Sequence, residues 1–183
     1  QNLPVREAEI MDTLFADLRQ EVVDVAMVQR QSDAGELKSF RITVVVGNAQ
    51  GGVIGIGVGK AAEFVPAVRA AEIRAKIRIT VFRRGCGSWE GRSSDLHSVP
   101  FQVSGNAGSV RVTLRPAPKG TGLVTPDVGK IVLRIAGLKD VWSISKGRSR
   151  TSSNFAKAFV DALVHTYKML PTQEWAVIGG VEQ

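Results

Sequence analysis

The chain has 183 residues, 44% apolar and 22% charged, which is enough for one substantial core or two small ones and excludes a wholly disordered polypeptide. The 24 lysines and arginines against 17 carboxylates give +7 and a pI near 10.0, which points to a polyanionic partner with nucleic acid first in line. One cysteine, Cys86, excludes an internal disulfide and favours an intracellular protein; apolar runs such as Val44 to Val46 are far shorter than the ~20 residues of a membrane span, and Gln1 to Glu9 carry no secretory pattern, so a soluble chain without a membrane partner is expected.

In chain order, Ile10, Leu14 and Leu18 at spacing four behind an acidic start predict a short helix whose first turn suits its dipole. The period then changes to two. Val23, Val25 and Met27 alternate with Asp24, Ala26 and Val28, and Phe40, Ile42, Val44 and Val46 alternate with Arg41, Thr43 and Val45, around turn residues Ser32 to Gly35. A third strand near Val53 to Val58 follows the loop Gly47 to Gly52, completing an antiparallel meander. Beyond Lys60, the residues Phe64, Val68, Ala71 and Ala75 fall on one helical face, and Pro66 fits only a first turn, so this helix starts near Glu63. These elements make an acidic extension over residues 1–20 and a first domain over 21–82.

Residues 83–97, rich in Gly, Ser and charge, have the composition of a linker. A second domain is expected over 98–170. In it Val99, Phe101 and Val103 pair with Val110, Val112 and Leu114 across a turn at Ser104 to Gly108, leaving Arg111 and Arg115 on the opposite face. Asp127 caps a helix bearing Val128, Ile131, Val132 and Ile135 that Gly137 stops; a strand runs from Val141 to Ser145. The last helix, capped by Ser153 or Asn154, presents Ala156, Phe159, Leu163, Tyr167 and Leu170, and residues 171–183 form an irregular arm. The fold class is α+β.

Gly55-Ile56-Gly57-Val58-Gly59-Lys60 invites a nucleotide-binding reading, but the phosphate loop wants Gly at Ile54 and Ser or Thr at Ala61. Gly57, Gly59 and Ala62 meet the dinucleotide fingerprint only loosely and lack its βαβ setting. A twisted or bulged edge strand explains the glycines better, and Lys60 at a helix N-terminus would suit a nucleic-acid phosphate. Cys86, His97 and His165 are too scattered for zinc, Cys86 with His97 is better explained as a buried small thiol and a loop imidazole, and no catalytic frame emerges. A binder with no cofactor, no metal and no catalysis is expected; a small-molecule phosphotransferase and a free double-stranded-RNA regulator are the alternatives.

Charge is unevenly spread. Residues 1–29 are net −4 and 158–183 net −2, so the body from 30 to 157 carries +13, with 15 arginines to 9 lysines in the whole chain. Three basic groups stand out: Arg74, Lys76, Arg78, Arg83 and Arg84; Lys146, Arg148 and Arg150 around Gly147; and Arg115 with Lys119 bracketing Pro116 to Pro118. On two modules they suit separate contacts to an extended folded RNA, on which Trp89 and Trp142 offer stacking surfaces.

Four ordered stretches carry a resemblance: Phe40 to Gly47, Gly55 to Ala61, Pro116 to Gly122 and Ala136 to Val141. With them the chain resembles the family of small-subunit ribosomal protein five, and Arg83 to Glu90, His97 to Phe101 and Asn154 to Ala158 are similar to its archaeal and eukaryotic branch. The resemblance implies a first domain like a double-stranded-RNA-binding domain and a second βαβ domain with a left-handed crossover. It implies a cytoplasmic, non-enzymatic constituent of the small subunit that binds ribosomal RNA near the messenger entry channel, contributes to subunit assembly and decoding accuracy, and touches the counterparts of bacterial proteins four and eight. The loop Gln31 to Lys38 is expected to reach RNA at the junction of head and body. The residues expected to contact RNA are Arg30, Lys38, Arg41, Lys60, Arg74, Arg83, Arg84, Arg111, Lys119, Lys146, Arg148 and Arg150.

Overall fold

The computed structural model describes residues 8–15, 17–50, 52–86 and 96–168. The opening residues 1–7, Trp89 within 87–95, Leu170 and the arm 171–183 lie outside the described residues. Helix α1 (Ala8–Leu14) leads into a sheet of order β1-β2-β3-β4, built from β1 (Arg19–Ser32), β2 (Gly35–Asn48), β3 (Val53–Ala61) and β4 (Thr80–Val81), with α2 (Phe64–Ile77) across one face. All pairings are antiparallel. Helix α1 is shorter than its expected stripe: Leu18 lies beyond its end, Ile10 and Leu14 face outward, and Met11 is its buried residue.

The glycine-rich strand has a packing cause. Gly55, Gly57 and Gly59 point from β3 at α2, where Ala67, Ala71 and Ala75 are fully buried opposite them. A Cβ on Gly57 would overlap the Ala71 carbonyl and the Ala75 amide, and one on Gly59 would overlap the Ala67 carbonyl, so helix and strand approach as closely as backbones allow. The β2–β3 register runs without a bulge. Neither the bulged strand nor a phosphate cradle is therefore the reason for these glycines. The same closeness corrects the expected face of α2: Ala67 replaces Phe64 on the buried line, and Phe64 lies half-exposed, edge-to-face with Phe40 at 6.3 Å.

Strand β1 does carry a bulge, between Val22 and Asp24. It shifts the phase so that Val22, Val25 and Met27 share a face with Val44, Ile42 and Phe40, whereas Val23 packs into the other core. Simple alternation put Val23 with Val25.

The second sheet has order β5-β6-β8-β7, from β5 (Val103–Ala107), β6 (Val110–Pro116), β7 (Leu123–Val124) and β8 (Val141–Lys146). Strand β7, helix α3 (Asp127–Ile135) and β8 form a parallel βαβ unit, and α4 (Ser152–Val164) covers the inner face before a 3₁₀ turn at His165–Lys168. The hairpin turns at Gly108 and Ser109, with Gly108 at φ +61°, and not at Ser104 to Gly108. Val99 and Phe101 lie before the strand, with Val99 fully buried. Gly105 repeats the first unit's device: a Cβ there would overlap the Ala158 carbonyl and Ala162 amide of α4. Pro126 occupies the N-cap of α3 with Asp127 in the first turn, and Thr151 precedes α4, so neither expected side chain caps its helix. Gly137, at φ +76°, ends α3 with the Leu138 amide donating to the Leu133 carbonyl, a Schellman stop.

The two units share a core. Val45 and Ile54 from the far face of the first sheet, with Val23 and Ile56, pack with Phe82, Leu133, Ile135, Phe159 and Leu163. The expected linker also begins and ends in that core, because Phe82, His97 and Ser98 are buried and the Arg83 amide donates to Thr166 Oγ1 at 2.8 Å.

Candidate nucleic-acid interface

The far face of the first sheet divides in two. Its Val45 end is covered by the second unit, and its other end bears Arg41 directly opposite Lys60, both exposed. Lys60 thus stands near the end of β3, paired with β2, and not at the α2 N-terminus where it is expected. Neither side chain has an ion-pair or hydrogen-bond partner among the described residues. Beyond Phe40, β1 and β2 run on without β3 as a two-stranded ribbon. Five residues of it, Gly35 to Ser39, project about 16 Å at the usual rise of a strand. Gln31 to Lys38 is therefore mostly strand, with its turn at Asp33 and Ala34, Ser32 Oγ donating to the Gly35 carbonyl at 2.8 Å, and Gly35 at φ +124°. Arg30 lies on the Arg41 side, and Lys38, 3.8 Å from Glu36, on the other.

Among the described residues, no helix or strand covers the outer face of the second sheet. Its alternation buries Val110, Val112 and Leu114 and turns Arg111, Thr113 and Arg115 outward, opposite Lys146, Ile144 and Trp142 of β8. Arg111 Nε donates to Asn106 Oδ1 and Arg115 Nε to Gln102 Oε1, each at 3.0 Å. One edge of each guanidinium is thereby fixed by an amide, and the Nη groups remain for a phosphate. Gly147, at φ +92°, packs so closely on the Ser109 carbonyl that a Cβ would overlap it; this sets the exposed Arg148 and Arg150 beside the β5–β6 turn.

Lys119 sits on a loop with a buried clasp. Asp140 Oδ1 accepts from the amides of Gly120 (3.1 Å) and Gly122 (2.8 Å), residues at φ +91° and +76°. Its Oδ2 lies 2.9 Å from His97 Nδ1, a close contact without the alignment of a hydrogen bond. His97 also accepts the Lys139 and Asp140 amides on its carbonyl. His97 does lie in a loop, as expected, but is buried there, whereas Cys86, expected to be buried, is only partly so; the motifs Pro116 to Gly122 and Ala136 to Val141 meet at one carboxylate. No spacing signalled this.

The basic group from Arg74 to Arg84 is, except for Arg78, engaged internally. Arg74 donates to the Val58 carbonyl (2.7 Å) at the open edge of β3, and Arg84 spans the carbonyls of Ala49 and Gln50. The Arg83 guanidinium lies 4.5 Å above the Tyr167 ring. Lys76 contacts Asp12 and Glu72, each at 2.8 Å; burial lowers its pKa, but these hydrogen bonds and charges outweigh that and raise it above the ordinary 10.5. These groups clamp elements together, whereas Arg78 stays exposed.

The family model described as ribosomal protein S5, N-terminal domain, matches residues 18–83, and that for the C-terminal domain matches 105–176. Among similar proteins, the small ribosomal subunit protein uS5 of Thermofilum pendens is 51% identical over 175 residues, 96% of this chain and 86% of the relative. Those of Staphylothermus marinus and Ignicoccus hospitalis are 53% and 52% identical, again over 96% of this chain and over 81% and 82% of theirs. Two domain matches in the order of the two sheets, with half of all residues shared along nearly the whole length, mean that the chain belongs to the ribosomal protein S5 family, structural and non-enzymatic proteins of the small ribosomal subunit.

Proposed function

We propose that this cytoplasmic small-subunit protein holds ribosomal RNA through outward cations of both its units: Arg30, Lys38, Arg41 and Lys60 on the first, and Arg111, Lys119, Lys146, Arg148 and Arg150 on the second. One observation carries the reading. Each sheet sets two cations directly opposite one another, Arg41 against Lys60 and Arg111 against Lys146. Like charges in facing positions destabilise a sheet. An external polyanion removes that repulsion, so the pairs make sense in an RNA-bound protein and not in a free one. The charge distribution along the chain agrees, since residues 30–157 carry +13 between two net-acidic ends.

The projecting β1–β2 ribbon supports the reach towards the junction of head and body that the family resemblance implies. The same resemblance supplies a position near the messenger entry channel, the counterparts of bacterial proteins four and eight as neighbours, and an influence on decoding accuracy.

The test is the affinity of the full chain for small-subunit ribosomal RNA between ~50 and ~200 mM salt, which should fall by orders of magnitude. Changing Arg41→Gln with Lys60→Gln should weaken binding and flatten the slope of log affinity on log salt by about 2. The free protein should meanwhile gain a few tenths of a kcal/mol in stability. Salt-independent binding would overturn the reading.

A further inference from the structure

The outer face of the second sheet holds more than charge. Trp142 is 42% exposed at its centre, between Val124 of β7 on one side and Arg115 of β6 on the other, with Ile144 two residues along β8. Val124 and Ile144 are 52% and 41% exposed, so three large apolar side chains share one open strip. A tryptophan left in water on a rigid sheet costs solvation that burial against a partner would recover.

The occupant follows from the charge around the strip. Strands β5 to β8 and the loop 147–150 contain no Asp or Glu, while Arg115 lies beside Trp142, and Arg111, Lys146, Arg148 and Arg150 continue the face beyond Ile144. Two of these arginines are already aimed by Asn106 and Gln102, four residues apart on β6 and matched by amides four residues apart on the neighbouring segment. A planar apolar surface flanked by oriented cations that have no ion pair among the described residues matches a nucleotide whose base has left its stack: the ring has a π-face to cover and the flanking phosphates have forks to meet. An apolar protein segment would leave the cations unanswered.

We infer that this face binds an unstacked nucleotide of the ribosomal RNA, with Trp142 as the stacking platform and Arg111 and Arg115 as holders of the neighbouring phosphates. The inference rests on the RNA-binding reading above but adds base stacking to a contact otherwise made of charge. Trp142 is a positioning surface for RNA, and its loss should remove affinity without removing salt dependence.

The full chain and its Trp142→Phe and Trp142→Ala variants, each checked for native circular dichroism, are compared for affinity to small-subunit ribosomal RNA over the same salt range. Stacking predicts that Trp142→Ala binds about tenfold or more weakly with an unchanged salt slope, and that Trp142→Phe keeps most of the affinity. A photo-crosslinker at position 142 in assembled subunits should join the chain to RNA. Full affinity in Trp142→Ala, or crosslinking to a protein only, would overturn the stacking inference and leave the charge reading standing. A flat salt dependence in the wild type would instead remove that underlying reading.

Discussion

The two sheets are built alike on the inside and used differently on the outside. In both, a strand gives up its side chains so that an alanine-rich helix face can lie on backbone: β3 with Gly55, Gly57 and Gly59 against α2, and β5 with Gly105 against α4. The outer faces diverge, because the first sheet spends half of its own on the seam with the second unit and the second sheet keeps all of its own exposed. A close inner contact makes each sheet thin and rigid, and what lies behind it decides whether the outer face becomes core or interface.

The largest test of this likeness is Gly57→Ala set beside Gly105→Ala. Both would drive a methyl group into helix backbone, which cannot swing aside like a side chain, so each should cost about 3 kcal/mol, read as a lowered denaturation midpoint. Tolerance of one but not the other would show that the two units are not built by the same rule. A smaller effect, particular to the second unit, is expected of Asp140→Ala. It strands the Gly120 and Gly122 amides and should cost about 2 kcal/mol, while Asp140→Asn, which keeps an acceptor oxygen, should recover much of it in thermal denaturation.

The smallest belongs to the first unit. Lys76 has a folded pKa above 10.5, so its contribution is complete below the unfolded value and disappears as pH rises through the folded one. The stability difference between wild type and Lys76→Met should therefore be constant to about pH 10 and shrink above it, and with partly exposed carboxylates it should stay under about 1 kcal/mol. A difference that grew with alkaline pH would contradict the ion-pair account of α1 on α2.

Much of this architecture is legible in the amino-acid order. The period of two in Phe40 to Val46, Pro66 in a first turn and Gly137 as a stop all act locally, and local chemistry placed them correctly. The misses are of another kind. The bulge at Val22 inverts Val23, yet nothing in the valine-rich run distinguishes one alternation from its neighbour. Strands β4 and β7, two residues each, are too short to show a period. Glycine alternation in β3 is visible, but its cause is an alanine row on the next element, so the eye goes first to phosphate binding. His97 and Asp140 are 43 positions apart and meet only through the fold. At the interface, the charges were visible as a sum; which ones are turned outward and which clamp Val58, Ala49 or Tyr167 depended on strand register and helix packing.

The seam that joins Val45 and Ile54 to α3 and α4 has a mechanical consequence. Because one continuous apolar mass ties both sheets, the Arg41–Lys60 end of the first and the outer face of the second are held at a set angle, like the jaws of a fixed gauge. Moving one sheet against the other would mean opening that shared core, so the two faces are expected to shift together as one unit.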